Sequence, residues 1–328
     1  MPSAINEQTT SELNPLSRDL LLRVAAMASA VPADALTPQR RRELQRAGNA
    51  LYASPQSTLP VQRQDMTIAL PQRSLPARLY QPTADAAPTP ASDVLLVFFH
   101  GGGWVVGDLQ THDTACAFLS HRIGCRVLSV EYRKAPECPF PGPCEDAADA
   151  YRWAASELEA LGCARIAVAG DSSGGHLAAY AMYANPEVTT AAALLFYPVT
   201  SDDFERSSYV ERGAGPGLTG DGMRWFWHQF LGPARTADDD DVRARPLRQQ
   251  WLRKPPATVV ALAWHDPLHD EGVAYGQLLR DAGGDVQLHV ANDMAHGYLR
   301  QCLVVPAARD HVRQVADSLG RYLATGAA

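Results

Sequence analysis

The six cysteines (Cys116, Cys125, Cys138, Cys144, Cys163, Cys302) contain no Cys-x-x-Cys pair, and no cysteine–histidine spacing suits zinc. Scattered free thiols and no bound metal are therefore expected. No uninterrupted apolar run reaches the roughly 20 residues that cross a bilayer. The most apolar early stretch, Leu20–Ala30, carries Arg23 within it and Asp19 just before it. It reads as an amphipathic helix rather than an export leader, so a cytoplasmic protein is expected. Basic residues are not in excess either. With 29 Lys and Arg against 36 Asp and Glu, the formal net charge of -7 argues against nucleic acid or an anionic membrane as partner. The only basic triplet, Arg40-Arg41-Arg42, reads as a solvated face, and Asp238–Asp241 as a solvated loop without a cation-binding pattern. There is no internal repeat.

What is present is a chain of 328 residues, 46% hydrophobic, enough to bury a large core without staples. Helices are expected around Leu16–Ala30 and Pro38–Ala53, the second with Thr37 as cap. Met66–Leu70 and Ala77–Tyr80, joined by a turn from Pro71 to Pro76, read as an antiparallel pair at a sheet edge, and 81–93 as a loop. From Val94 onward strands alternate with helices. The strands are Val94–Phe99, Arg126–Val130, Arg165–Ala169, Ala191–Phe196, Thr258–Ala263 and Val286–Val290. The intervening and closing helices are Thr111–Arg122, Cys144–Leu161, one from His176, Gly272–Ala282 and Arg309–Ala324. This is an α/β pattern, a mostly parallel sheet of about eight strands covered on both faces, with its site at the strands' carboxyl ends.

One interval breaks the alternation. No strand is legible between Tyr197 and Thr258; instead a helix starts at Thr219 and stops at Gly232-Pro233. Met223, Phe226, Trp227 and Phe230 recur at i, i+3, i+4, i+7, which is a packing face and, added to that, a candidate wall over a substrate pocket. The expected organisation is N-terminal cap helices at 1–60, a catalytic domain at 61–199 and 246–328, and a cap insertion at 200–245.

The chemistry centres on Gly170-Asp171-Ser172-Ser173-Gly174-Gly175, between a strand and a helix. Gly-x-Ser-x-Gly in that context is a nucleophile elbow, a sharp turn that lifts a serine hydroxyl above the sheet edge. Centring on Ser173 would put Asp171, with its Cβ, at a flank where the turn needs glycine, so Ser172 is the nucleophile. After the first fully apolar strand comes His100-Gly101-Gly102-Gly103-Trp104, whose glycines let backbone N–H groups approach a developing oxyanion. A phosphate loop is the rival reading, but no Gly-Lys-Ser/Thr follows. The expected donors are the amides of Gly101, Gly102 and Ser173, with His100 as a brace. His296, in the loop after the last strand, fits the base; His289 lies in that strand, His311 in the final helix, and His265 and His269 flank the acid. Asp266, at the end of strand Thr258–Ala263 and held by Pro267, fits the acid. Asp270 and Glu271 read as helix-dipole caps. Trp104, Tyr197, Phe226, Trp227 and Phe230 are the candidate pocket residues.

Together, His100–Trp104, Glu131–Glu137, Gly170–Gly175, Asp266–Gly272 and His296-Gly297 resemble the hormone-sensitive-lipase-like esterases across roughly residues 60 to 324. Lys134 stands where that family usually has Leu, and Ser173 where it often has Ala. The resemblance implies an α/β-hydrolase fold, a helical cap and cofactor-free hydrolysis of short acyl esters through an acyl-enzyme. The partner is then a small-molecule ester, acetyl to hexanoyl in acyl length, and a homodimer is compatible. Activity needs neutral His296, so kcat/KM should rise with pH. Amide, formamide, carbamate or lactone hydrolysis and acyl transfer use the same triad and stay open. A catalytically silent receptor, as in plant hormone receptors that resemble this family, fits poorly because Ser172, Asp266 and His296 are all retained.

Overall fold

A computed structural model describes residues 12–32, 35–53, 59–83, 89–232 and 241–325. Parts of the sequence reading lie outside these residues: the first 11 positions, 84–88 of the loop at 81–93, and Asp238–Asp240 of the acidic run.

Eight strands among the described residues form one sheet, in the order β1-β2-β4-β3-β5-β6-β7-β8. β1 (Val61–Leu70) and β2 (Arg73–Pro82) are an antiparallel pair, and β2 runs antiparallel to β4 (Arg126–Val130). The others are parallel: β3 (Val94–Phe99), β5 (Arg165–Asp171), β6 (Thr190–Phe196), β7 (Thr258–His265) and β8 (Val286–Ala295). β1 is an edge strand, and its exposed Gln62, Arg63, Gln64 and Asp65 discourage further pairing. The connection between β1 and β2 is only Pro71-Gln72, shorter than the turn expected from the sequence, so Pro76 lies inside β2. It is tolerated there because its carbonyl, and with it the side that lacks an N–H, faces the position where β4 has ended and accepts from Glu131 N at 2.9 Å.

The pleat of β3 divides the core. Val94, Leu96 and Phe98 pack with Phe118 and Leu119 of α3 (Asp113–Ile123) and Val312 and Leu319 of α9 (Pro306–Thr325). Leu95, Val97 and Phe99 pack on the other face with Tyr151 of α4 (Gly142–Ser156), Leu177 of α5 (Ser173–Ala184) and Tyr275 and Leu279 of α8 (His269–Asp281). All six β3 side chains are buried, each such burial contributing roughly 1.5–3 kcal/mol.

The remaining helices gather at the strands' carboxyl ends. α1 (Pro15–Ser29) is capped by Asn14, whose backbone N–H donates to Asp293 O at 2.8 Å. α2 (Pro38–Gly48) is capped by Thr37. After β6 the chain forms a short helix, α6 (Ser207–Arg212), which the sequence pattern did not reveal, then α7 (Gly220–Leu231) with Thr219 accepting from Gly222 N at 3.0 Å. Of the basic triplet only Arg40 is solvated as expected, pairing with Glu43 on its own helix. Arg41 stacks over Trp225 of α7 at 4.3 Å, and Arg42 ion-pairs with Glu137. None of the described helices is long and apolar enough to cross a membrane.

Candidate active site

The elbow is as the sequence pattern predicts. Ser172 sits between β5 and α5 at φ 56, ψ -121, a strained conformation held from both sides: its N–H donates to Phe196 O (2.9 Å) and its carbonyl accepts from Val199 N (3.2 Å) and His176 N (3.0 Å). Glycine is required at both flanks. A Cβ on Gly170 would overlap the Gly174 carbonyl, and one on Gly174 would overlap the Phe99 carbonyl.

Sheet register brings the other two groups to this serine. In the parallel β7–β8 pair, His265 lies opposite Ala295, so the next residue on each strand, Asp266 and His296, leaves the sheet side by side. His296 Nδ1 is 2.7 Å from Asp266 Oδ2, and its Nε2 is 2.9 Å from Ser172 Oγ. Asp266 is fully buried and takes the Leu268 N–H on Oδ1 at 2.9 Å. With a carboxylate as its partner, Nδ1 is the donor, leaving Nε2 with a free lone pair toward the serine. The ring of Tyr197, itself buried at φ 34, lies 4.6 Å from the imidazole and fixes its tilt; the Tyr197 hydroxyl accepts from Leu299 N at 3.2 Å.

The glycine loop follows β3, whose Phe99 pairs with Gly170 of β5, and this register sets one of its amides differently from the sequence expectation. Gly101 N donates to Asp171 Oδ1 at 2.8 Å, so this N–H is already engaged. Burial pushes the Asp171 carboxyl up, but His112 at 3.4 Å and the Gly101 amide outweigh it and hold the group below the usual range. By contrast, the amides of Gly102, Gly103 and Ser173 donate to no acceptor among the described residues. His100 is a brace, as expected. Its ring lies between Tyr132 (4.4 Å) and His112 (5.5 Å), its carbonyl accepts from the Tyr132 hydroxyl at 2.8 Å, and burial lowers its pKa to about 4.

Three of the aromatic pocket candidates are packing residues. Trp104 (φ 59) has no exposure, donates its indole N–H to His176 Nδ1 at 3.0 Å and stacks on Phe230 at 4.1 Å, with Trp227 at 5.0 Å. Trp104, Trp227 and Phe230 thus join α7 to the glycine loop as core. Phe226 differs: it is half-buried, and its ring covers Gly103 so closely that a Cβ there would overlap it. Glu271 is another departure. It lies in the first turn of α8 as a helix-dipole cap would, but it is fully buried and accepts from Thr200 N (2.7 Å) and Ser201 N (3.4 Å). Sequence reasoning missed Arg42, Gln45 and Arg46 of α2, which bond to the glycine loop and the segment after β4. Their partners lie too far along the chain for spacing to reveal.

No group of three or more His, Cys, Asp or Glu among the described residues is arranged to hold a metal ion. All six cysteines are free, five of them buried. A cleft of about 570 Å³ beside Tyr183, Trp251 and Pro255 lies at the amino ends of β6 to β8, remote from Ser172.

A family model described as alpha/beta hydrolase fold matches residues 96–300. The chain is 37% identical over 257 residues to ethyl acetate hydrolase of Pseudomonas putida, covering 76% of this chain and 79% of that one. It is 39% identical over 261 residues to the carboxylic ester hydrolase LipN of Mycobacterium tuberculosis, covering 75% and 67%. Among solved structures, a thermostable esterase from Pseudomonas putida ECU1011 superposes with a TM-score of 0.84 at 29% identity, over 96% of this chain and 99% of that one.

Proposed function

The chain belongs to the α/β-hydrolase family as a hormone-sensitive-lipase-like carboxylesterase, and on that premise we propose that Ser172, His296 and Asp266 are its catalytic triad. The unbroken run Asp266–His296–Ser172, at 2.7 and 2.9 Å, carries this reading. His296 Nε2 takes the Ser172 proton as Oγ attacks the ester carbonyl carbon. The tetrahedral oxyanion is held by the amides of Gly102, Gly103 and Ser173, with Gly103 in place of the engaged Gly101. The imidazolium, steadied by Asp266, then protonates the leaving alcohol oxygen as the C–O bond breaks. Water, deprotonated by His296, attacks the acyl carbon; the C–Oγ bond breaks, the imidazolium returns its proton to Ser172 Oγ, and the carboxylic acid leaves.

The helices α1, α2, α6 and α7 serve as the cap. Phe226 over Gly103 and the solid Trp104–Trp227–Phe230 packing favour a shallow acyl site, hence acetyl to hexanoyl esters. The ester-cleaving names of the relatives favour esters over amides.

Ser172→Ala should lower kcat on p-nitrophenyl butyrate by about 10⁴-fold or more, whereas Ser173→Ala keeps its amide and a substantial part of the activity. Equal losses would overturn the assignment of the nucleophile. A higher kcat/KM on a C12 than on a C4 ester would contradict the shallow acyl site.

A further inference from the structure

Helix α2 lies outside the sheet, yet one of its faces grips the loop that carries the oxyanion amides. Arg42, Gln45 and Arg46, at i, i+3 and i+4, share that face. Arg42 Nε donates to Val105 O at 2.7 Å, and its Nη2 to Ala135 O at 2.9 Å. The same guanidinium is bidentate on Glu137 at 2.8 and 2.6 Å, and although charged its side chain is only 14% exposed. Gln45 Oε1 accepts the Gly107 N–H at 2.5 Å, and Arg46 Nε meets Asp108 Oδ2 at 2.5 Å.

The inner side of the same loop is equally tight. Val105 N and Val106 N both donate to Gly102 O, at 3.1 and 2.9 Å. A Cβ on Gly102 would overlap the Val106 carbonyl, and one on Gly107 would overlap the Gly101 carbonyl. Residues 101–108 thus form a coil with Gly102 at its turn. Its outer groups, Val105 O and Gly107 N, find their partners on α2. Sheet hydrogen bonds end at Phe99, so they cannot orient this coil.

We infer that Arg42, supported by Gln45 and Arg46, is a positioning residue that sets the Gly102 and Gly103 amides at transition-state distance. This rests on the reading that those amides hold the oxyanion. Arg42 touches no substrate and acts through Val105 and the coil. Such a role should appear in kcat, because the oxyanion exists only after attack, and a misplacement of about 1 Å can cost about 10²-fold.

The test compares p-nitrophenyl butyrate with its thiono analogue, in which sulfur, a poor hydrogen-bond acceptor, replaces only the carbonyl oxygen. In the wild type the oxo ester should turn over much faster. In Arg42→Ala, kcat on the oxo ester should fall about 10- to 100-fold with KM within about twofold, and the oxo/thiono ratio should shrink. Arg42→Lys should be intermediate, since one ammonium cannot span Val105 O, Ala135 O and Glu137. Full fluorophosphonate labelling of Ser172 and an unchanged unfolding midpoint would show the elbow intact. If Arg42→Ala unfolds, Gln45→Ala, which removes only the Gly107 acceptor, should show a smaller version of the same pattern. A folded Arg42→Ala or Gln45→Ala enzyme with wild-type kcat and wild-type oxo/thiono ratio would overturn the inference. A wild type that does not distinguish the two esters would instead overturn the oxyanion reading beneath it.

Discussion

Asp266 and Glu271 stand five positions apart around the start of α8, and neither has any exposure to solvent, yet their surroundings give them opposite characters. Asp266 meets an imidazole on one oxygen and the Leu268 amide on the other. Glu271 offers one oxygen to the Thr200 and Ser201 amides, while its Oε2 meets no hydrogen-bond partner among the described residues. Burial pushes the Glu271 pKa up to about 8 against the pull of those amides and of Arg206, and Asp266 adds to the rise. Both carboxyls are equally buried; the partner decides what each can do. A buried acid facing an imidazole can stabilise a transient cation, whereas one facing two amides fastens a loop. Glu271 fastens the entrance to the segment carrying α6 and α7, since Thr200 also donates its hydroxyl to Glu271 O at 3.0 Å and accepts from Leu247 N at 3.1 Å.

Substitutions that remove charge but keep shape should separate the two roles most widely. Asp266→Asn should lower kcat on p-nitrophenyl butyrate by about 10³- to 10⁴-fold, because an amide no longer selects the Nδ1–H tautomer. Glu271→Gln, still able to accept from Thr200 and Ser201, should stay within about threefold of wild type. A loss there as large as that of Asp266→Asn would erase the distinction. Next in size is stability. Glu271→Ala strands two buried amides and should cost about 1–3 kcal/mol in urea unfolding, with Glu271→Gln well below that.

The remaining effect is in pH. Between the ordinary glutamate pKa of 4.5 and about 8, folded Glu271 holds a proton that the unfolded chain has released. Its contribution to stability is therefore full below 4.5 and lost as pH rises toward 8. Urea midpoints of wild type relative to Glu271→Gln should fall across that window; a flat difference would show that the carboxyl titrates as in water. The buried histidines act oppositely. His100 and His176 are held down to about 4 by burial, so their contribution is present above 6.5 and lost as pH falls toward 4.

The contrast also marks what could be read from the residues alone. The parallel strands were legible because each is a short run buried on both faces, and the proposed triad Ser172, Asp266 and His296 because each follows a strand in the order such chemistry requires. Their meeting depends on β7–β8 register, which the strand ends imply. Other features depend on contacts that no local pattern encodes. Whether Gly101 or Gly103 has a free amide is decided by the Asp171 side chain, reaching across from β5. Periodicity in α7 gave the apolar face, with Met223, Trp227 and Phe230 buried, but not that Trp104 would fill the space beneath it. Arg42 looked solvated because its partners lie beyond Gly103 and on the segment after β4. α6, at six residues, is too short to show a period.

The contact of Gly174 with the Phe99 carbonyl has a consequence for how this enzyme can change over generations. The elbow and the end of β3 leave no room for even a methyl group, so Gly174 cannot gain a side chain unless the backbone it meets moves. Phe226 of α7, whose ring meets Gly103, shares that constraint, whereas Trp225 is only half-buried and lies under Arg41. Drift or directed evolution is thereby channelled away from the elbow, toward positions where a side chain can still change size.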